Sequence, residues 1–290
     1  MRHILRKTAL VAPAILLGAL FGIPRSHSAG IMPAQTAANA RGTAIIAHRG
    51  GSKESTENTI EAFQRAIRIG ADGIETDIRL TRDGVVVIYH DERIGRVEGI
   101  KSTTPGELVS EMTYAELSSH PLLPVGNERG GRRAPTLKDL LNEVKSGLLN
   151  IEIKRGDRFD ELVDRTIAIL KDSPAFDRVV LEAPDVVTAQ KLRSALGPGL
   201  KLHINPAYDS SVSFDESLKR VLAFKPHSIS VSYRKLSWEI VDLAHRAGVE
   251  VWVWTVDSPA IARAMALLGV DAIKTDLPTL MLEEFKRPRH

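Results

Sequence analysis

The chain has 290 residues, 43% hydrophobic and 26% charged, an ordinary globular balance. It has no cysteine, which excludes disulfides, thiolate metal sites and a cysteine nucleophile. The net charge of +3 and the pI near 9.1 would suit an anionic partner. However, the first 28 residues hold four Lys/Arg and no acid, so the remainder stands at −1 and gives no support for a nucleic-acid partner.

Those first residues read as a signal peptide, 1–28. Arg2, Arg6 and Lys7 precede an apolar stretch, Thr8 to Ile23, broken by Pro13. Ser26 and Ser28 place small residues before a cut at Ala29, completing the order of a secretory signal. The alternative is an uncleaved anchor, but the run is short of the ~20 apolar residues that spanning needs. The expected location is therefore secreted or periplasmic, with no stable membrane insertion of the mature chain. Residues 29–42, rich in Ala, Gly and Thr, read as a linker to a domain at 43–290.

From Thr43 onward β-branched runs alternate with helical patterns. Strands are expected at Ala44–His48, Gly73–Asp77, Leu149–Lys154, Arg178–Glu182, Lys201–Ile204, Ser228–Val231, Glu250–Thr255 and Asp271–Thr275. Helices are expected at Thr59–Ile69, Leu137–Lys145, Phe159–Leu170, Val186–Ala195, Glu216–Phe224, Trp238–Ala247 and Pro259–Leu268. Such alternation implies parallel βαβ units, and eight of them a single α/β domain, a TIM-type (β/α)8 barrel. One run departs from it. Asp77 to His90 holds two extended segments around Asp83-Gly84, a hairpin signal. This predicts a β-ribbon that extends strand two and returns, with Asp77 and His90 roughly opposite. Residues from about 91 to 134 then read as a small capping insertion, with a helix at Tyr114–Ser118.

In a parallel barrel, chemistry gathers where strands end. The strand ends here hold His48 and Arg49, Glu75 and Asp77, His90 and Asp91 on the returning ribbon, Glu152 and Lys154, Trp252 and Trp254, and Lys274 and Asp276. The i,i+2 spacing puts Glu75 with Asp77, and Glu152 with Lys154, on one face of each strand. Glu75, Asp77 and Glu152 form a hard oxygen set suited to Ca²⁺ or Mg²⁺, or else pair with Arg49 and Lys154 without an ion. His48 and His90 suit a general acid and base. Arg49 and Lys154 suit a phosphate oxygen. His203, His227 and His245 lack such a setting and read as structural. Together these groups describe phosphoryl chemistry. No Gly-x-Ser-x-Gly elbow or Walker loop is present.

Ala47-His-Arg-Gly50, Glu57-Asn-Thr59, Gly70-Ala-Asp-Gly-Ile-Glu-Thr-Asp77, Thr81-Arg-Asp-Gly84, His90-Asp91, Pro135-Thr-Leu137, Ile151-Glu-Ile-Lys154, Trp254-Thr-Val256 and Gly269 to Pro278 resemble, in order, the glycerophosphodiester phosphodiesterases. The resemblance spans nearly all of 43–280. It implies release of glycerol 3-phosphate and an alcohol from a small glycerophosphodiester. It further implies His48 and His90 as the acid–base pair and Glu75, Asp77 and Glu152 as ligands of one divalent cation, with Ca²⁺ the better match to a secreted site. Arg49 and Lys154 would hold the phosphate, Glu57 would support the site or act as an outer ligand, and Trp254 would line the glycerol side or serve as a core aromatic. Three departures bear on substrate preference: Ser55-Thr56 in place of proline before Glu57, Arg96-Val-Glu in place of Arg-Thr-Thr, and Glu182 at the end of strand four. The rival readings are a lysophospholipase D or inositol-lipid phospholipase C on the same barrel, and a non-catalytic secreted binding protein. The mostly polar 91–134 segment favours soluble head groups. Oligomeric state is not readable from the sequence.

Overall fold

The computed structural model describes residues 42–100, 106–126, 128 and 131–285. The expected signal peptide, and the linker apart from Gly42, lie outside these residues. Nine strands form one sheet: β1 (Ala44–His48), β2 (Gly73–Leu80), β3 (Val86–Ile88), β4 (Leu148–Ile153), β5 (Val179–Ala183), β6 (Lys201–Ile204), β7 (Ser228–Ser232), β8 (Glu250–Trp254) and β9 (Ala272–Thr275). All but β3 pair in parallel, and β1 closes the ring by pairing with both β2 and β9. The expected TIM-type barrel is thus the fold, with strand bounds close to those read from the sequence.

Parallel strands bury both faces. The outward face (Ile45, Ile74, Ile151, Leu181, Ile229, Val253) joins the surrounding helices in one core. Those helices are α1 (Ile60–Arg68), α3 (Leu137–Glu143), α4 (Phe159–Leu170), α5 (Val186–Leu196), α6 (Phe214–Phe224), α7 (Trp238–Arg246) and α8 (Pro259–Leu268), while α2 (Tyr114–Ser118) belongs to the insertion. Inside the ring a separate apolar plug forms from Ile46, Val180, Trp252 and Ala272. Side chains alternate with period two. The next residues on the same face, toward the C-terminal rim, are therefore His48, Glu182, Trp254 and Lys274. The plug is the floor on which the polar chamber rests, and each of its larger side chains contributes about 1.5–3 kcal/mol by burial.

The ribbon forms, but one residue out of the expected register. Ile78 faces Ile88, Leu80 faces Val86, and Tyr89 N–H donates to Asp77 O at 2.9 Å, so Tyr89 rather than His90 stands opposite Asp77. The cause is the loop. Thr81 N–H donates to Val85 O at 3.0 Å, so three residues turn the chain instead of two, and Gly84 takes the left-handed third position at φ +79°. His90 still returns to the rim, one position past the ladder. The insertion carries a small core of its own under the ribbon, with Val109, Met112, Leu117 and Leu122 packed on Val87 and Tyr89. Its helix α2 begins with a capping box, Thr113 with Glu116. One helix was not among those expected. α9 (Pro278–Glu284) has seven residues and no side-chain cap, yet buries Met281 and Leu282.

Candidate active site

The first βα turn is strained. Arg49 has φ +53° and Asn58 φ +57°, both left-handed. Such a conformation costs an ordinary residue about 1–3 kcal/mol and persists only when its surroundings enforce it. Here Arg49 N–H donates to Glu75 Oε2 at 3.1 Å, and Arg49 O accepts from Asn58 N at 2.9 Å. Gly50, at φ +83°, leaves no room for a side chain, since a Cβ would sit 2.8 Å from Ala62 Cβ. The turn therefore brings His48 and Arg49 over the barrel mouth and presses α1 against it.

Register assembles the carboxylates. Asp77 on β2 is the Cα partner of Glu152 on β4, and Glu75 lies on the same face two residues earlier. Ligand oxygens of Glu75, Asp77 and Glu152 all lie within 4.8 Å of one another, as the sequence predicted for a cation site. Lys154 Nζ reaches Glu152 Oε1 at 2.8 Å and Asp77 Oδ1 at 3.2 Å. Arg49 Nε lies 3.6 Å from Asp77 Oδ2. Burial and then the charge of Asp77 push the Glu75 carboxyl upward, and burial and then Glu182 do the same to Glu152. For Asp77 burial acts in the same sense, but Lys154, His90 and Arg49 outweigh it and hold the carboxyl well below its ordinary range. Three crowded, nearly dry carboxylates, two of them resisting ionisation, fit a hard divalent cation, whose charge would reverse that resistance.

Both histidines are oriented by carboxylates. His48 Nδ1 donates to Asp276 Oδ1 at 2.6 Å, and its Nε2 lies 3.8 Å from Glu75 Oε2. Burial opposes charge on His48, but Glu75 and Asp276 outweigh it and raise the imidazole above its usual value. His90 Nδ1 donates to Asp91 Oδ1 at 2.7 Å, and Arg79 Nε holds the His90 carbonyl at 2.9 Å. Each ring thus has Nδ1 engaged, leaving Nε2 for proton transfer.

Glu57 bridges two arginines. It accepts from Arg49 Nη1 at 3.3 Å and from Arg96 at 2.7 and 2.8 Å, while Arg96 Nε also holds Asp91 Oδ2 at 2.7 Å. Arg96 therefore ties the capping insertion to the first βα turn and to the partner of His90. Trp254 ends β8 on the same rim. Its indole Nε1 is buried without a hydrogen-bond partner among the described residues, as is Arg49 Nε, which faces Asp77 Oδ2 at 3.6 Å. Asn58 Nδ2 donates to Asp77 Oδ2 at 3.1 Å, and Tyr208 OH to Glu152 Oε1 at 3.1 Å. The sequence pattern did not single out these two contacts. Asn58 lies within the Glu57-Asn-Thr59 motif and Asp276 at a strand end, so both were within reach. Tyr208 arrives on a short 3-10 turn after β6 (Pro206–Tyr208); Asn205-Pro206 marks the turn, but nothing local marks Tyr208 as reaching Glu152.

This arrangement is suited to phosphorus rather than acyl carbon, because it has cations and paired proton carriers but no activated serine or cysteine. It defines a barrel phosphodiesterase. Comparison with known proteins agrees. The model of the Glycerophosphoryl diester phosphodiesterase family matches residues 48–280, and the chain belongs to that family. A glycerophosphodiester phosphodiesterase of Caldanaerobacter subterraneus subsp. tengcongensis is 33% identical over 245 residues, covering 83% of this chain and 96% of the relative. The human Lysophospholipase D GDPD1 is 27% identical, covering 81% and 83%. The crystal structure of the glycerophosphodiester phosphodiesterase of Thermotoga maritima superposes with a TM-score of 0.66 at 27% identity, covering 83% of this chain and 97% of that one.

Proposed function

We propose that the chain hydrolyses glycerophosphodiesters to glycerol 3-phosphate and an alcohol, with one divalent cation, Ca²⁺ or Mg²⁺, held by Glu75, Asp77 and Glu152. The observation that carries this reading is the convergence of those three carboxylates, within 4.8 Å, with two carboxylate-oriented histidines on one barrel rim. When bound, the cation supplies Lewis-acid polarisation of a phosphoryl oxygen, typically worth several kcal/mol. Arg49 and Lys154 bind and neutralise the non-bridging phosphate oxygens. Nε2 of one histidine takes the proton from the attacking oxygen, and Nε2 of the other gives a proton to the leaving alkoxide. Trp254 offers its unpaired N–H on the glycerol side.

The test is an assay of the purified chain on glycerophosphocholine, following glycerol 3-phosphate and choline. Turnover is expected to stop with EDTA and return with added Ca²⁺ or Mg²⁺. Full activity of metal-stripped protein would overturn the metal assignment.

A second reading, a lipid-bearing leaving group, is supported by Ile100 and Leu123 on the capping insertion, exposed by 46% and 52%, and by the name of the human relative. Faster turnover of lysophosphatidylcholine than of glycerophosphocholine would favour it. The basic, apolar, small-residue order of positions 1–28 supports export of the enzyme. No helix among the described residues is long and apolar enough to cross a membrane.

A further inference from the structure

We propose that Lys274 and Glu182 form a charge-setting pair beneath the metal centre, in which Lys274 withholds Glu182 from the ion and so limits its carboxylate ligands to Glu75, Asp77 and Glu152. This inference rests on the metal reading given above. Strand pairing frames it. Asp77 is the Cα partner of Glu152, and Glu152 is the partner of Glu182 on the next strand. Three carboxylates therefore stand in one rung across β2, β4 and β5, on strands spaced about 4.8 Å apart. Only two of the three belong to the cluster that can share an ion.

What distinguishes the third is its partner. Lys274 Nζ, on β9 across the barrel, donates to Glu182 Oε2 at 2.7 Å and lies 3.5 Å from Ser230 Oγ. Both side chains are buried, exposed by 4% and 2%. His203 Nε2 is 3.7 Å from the same oxygen, but burial and the nearby Lys274 hold the imidazole neutral. Neutral, it adds no charge to offset the carboxylate. Among the described residues, Lys274 is then the one lysine or arginine within ion-pair distance of Glu182.

A buried carboxylate stays ionised only where a cation or several hydrogen bonds offset its charge. In the absence of Lys274, a divalent ion held by Glu152, one strand away, would offer such a charge. Lys274 thus acts as a positioning residue. It keeps Glu182 engaged in an ion pair of its own, so that Glu75, Asp77 and Glu152 would be the carboxylates that hold the ion. Glu182 in turn balances a lysine that would otherwise repel the ion from within the barrel.

Titration calorimetry with Ca²⁺ and with Mg²⁺ alone, on metal-stripped protein, tests this. One full charge gained or lost this near the ion should change its affinity by roughly tenfold or more. Lys274→Met, which frees Glu182, is expected to bind the preferred ion about tenfold tighter. Glu182→Gln, which leaves Lys274 unbalanced, is expected to bind about tenfold weaker. The Glu182→Gln/Lys274→Met double variant should return to within about threefold of wild type, because it removes both charges. Unchanged or weaker binding by Lys274→Met would overturn the pair's role while leaving the three-carboxylate site standing. If Lys274→Met alone does not fold, the double variant decides: affinity equal to that of Glu182→Gln overturns the inference, and recovery toward wild type supports it. Absence of binding by the wild type would overturn both readings.

Discussion

Asp276 decides which nitrogen of His48 is available. Its carboxylate accepts from Nδ1 and so fixes the tautomer that presents Nε2 to the chamber. Asparagine at this position offers an N–H as readily as an oxygen, and could hold the ring in the other tautomer. Asp276→Asn is therefore expected to lower kcat by about 10²-fold or more with little change in KM, while His48→Ala and His90→Ala each lose the ~10²–10⁴ typical of a missing acid or base. Thermal midpoints should change little, since none of the three fills the apolar core. Steady-state kinetics beside thermal melts make the check, and a wild-type kcat in Asp276→Asn would remove Asp276 from the mechanism.

At the scale of elements, α7 is tied to the strand ends by a histidine outside the active site. His245 Nε2 donates to Asp271 Oδ2 at 2.9 Å, and the same oxygen accepts from Val251 N at 2.8 Å. The hydrogen bond to Asp271 raises the His245 imidazole above its ordinary 6.5, against the opposing effect of burial. A raised value in the folded state means that the stabilisation is complete below the unfolded value and is lost as pH rises through the folded one. His245→Gln should thus cost about 1 kcal/mol at roughly pH 5.5 and distinctly less near pH 9. Urea unfolding at both values would show it, and an equal loss at both would mean that the imidazolium–carboxylate pair contributes nothing. Activity should be retained, because the residue lies away from the rim chemistry.

For the whole molecule, selectivity depends on which half of the substrate the barrel holds. The donors lie inside the chamber, at Arg49, Lys154 and Trp254. The leaving alcohol would face the capping insertion, whose charged residues are of both signs: Arg93, Arg96 and Arg132 beside Glu98, Glu107 and Glu116. Such a surface gives neither cationic nor anionic head groups a strong advantage. Glycerophosphocholine, glycerophosphoethanolamine and glycerophosphoglycerol are therefore expected to differ by no more than about tenfold in kcat/KM, roughly 1.4 kcal/mol. A diester lacking glycerol should be much poorer, because buried donors would lose their partners. A hundredfold preference for one head group, or good turnover of bis(p-nitrophenyl) phosphate, would place the specificity on the other half.

Much of this protein was legible along the chain. Period-two and helical patterns are local, so eight strands and their helices could be read from residue order, and strand ends then named His48, Arg49, Glu75, Asp77, His90, Glu152 and Lys154 as site residues. The Glu75–Asp77 pairing needed only the two-residue period of a strand. What the sequence could not supply is register and reach. The ribbon slipped one position because a three-residue turn and a two-residue turn share the same Asp-Gly signal. That Asp77 faces Glu152 depends on the β2–β4 register, and that Arg96 clamps Glu57 to Asp91 on how the insertion folds back over the first turn, while Asp276 reaching His48 and Lys274 crossing to Glu182 depend on the closure of a sheet whose first and last strands lie more than two hundred residues apart. Only the tertiary structure decides such contacts, because they are set by the stagger of strands around the ring and by the path of the insertion over it, and not by any preference of the residues that make them.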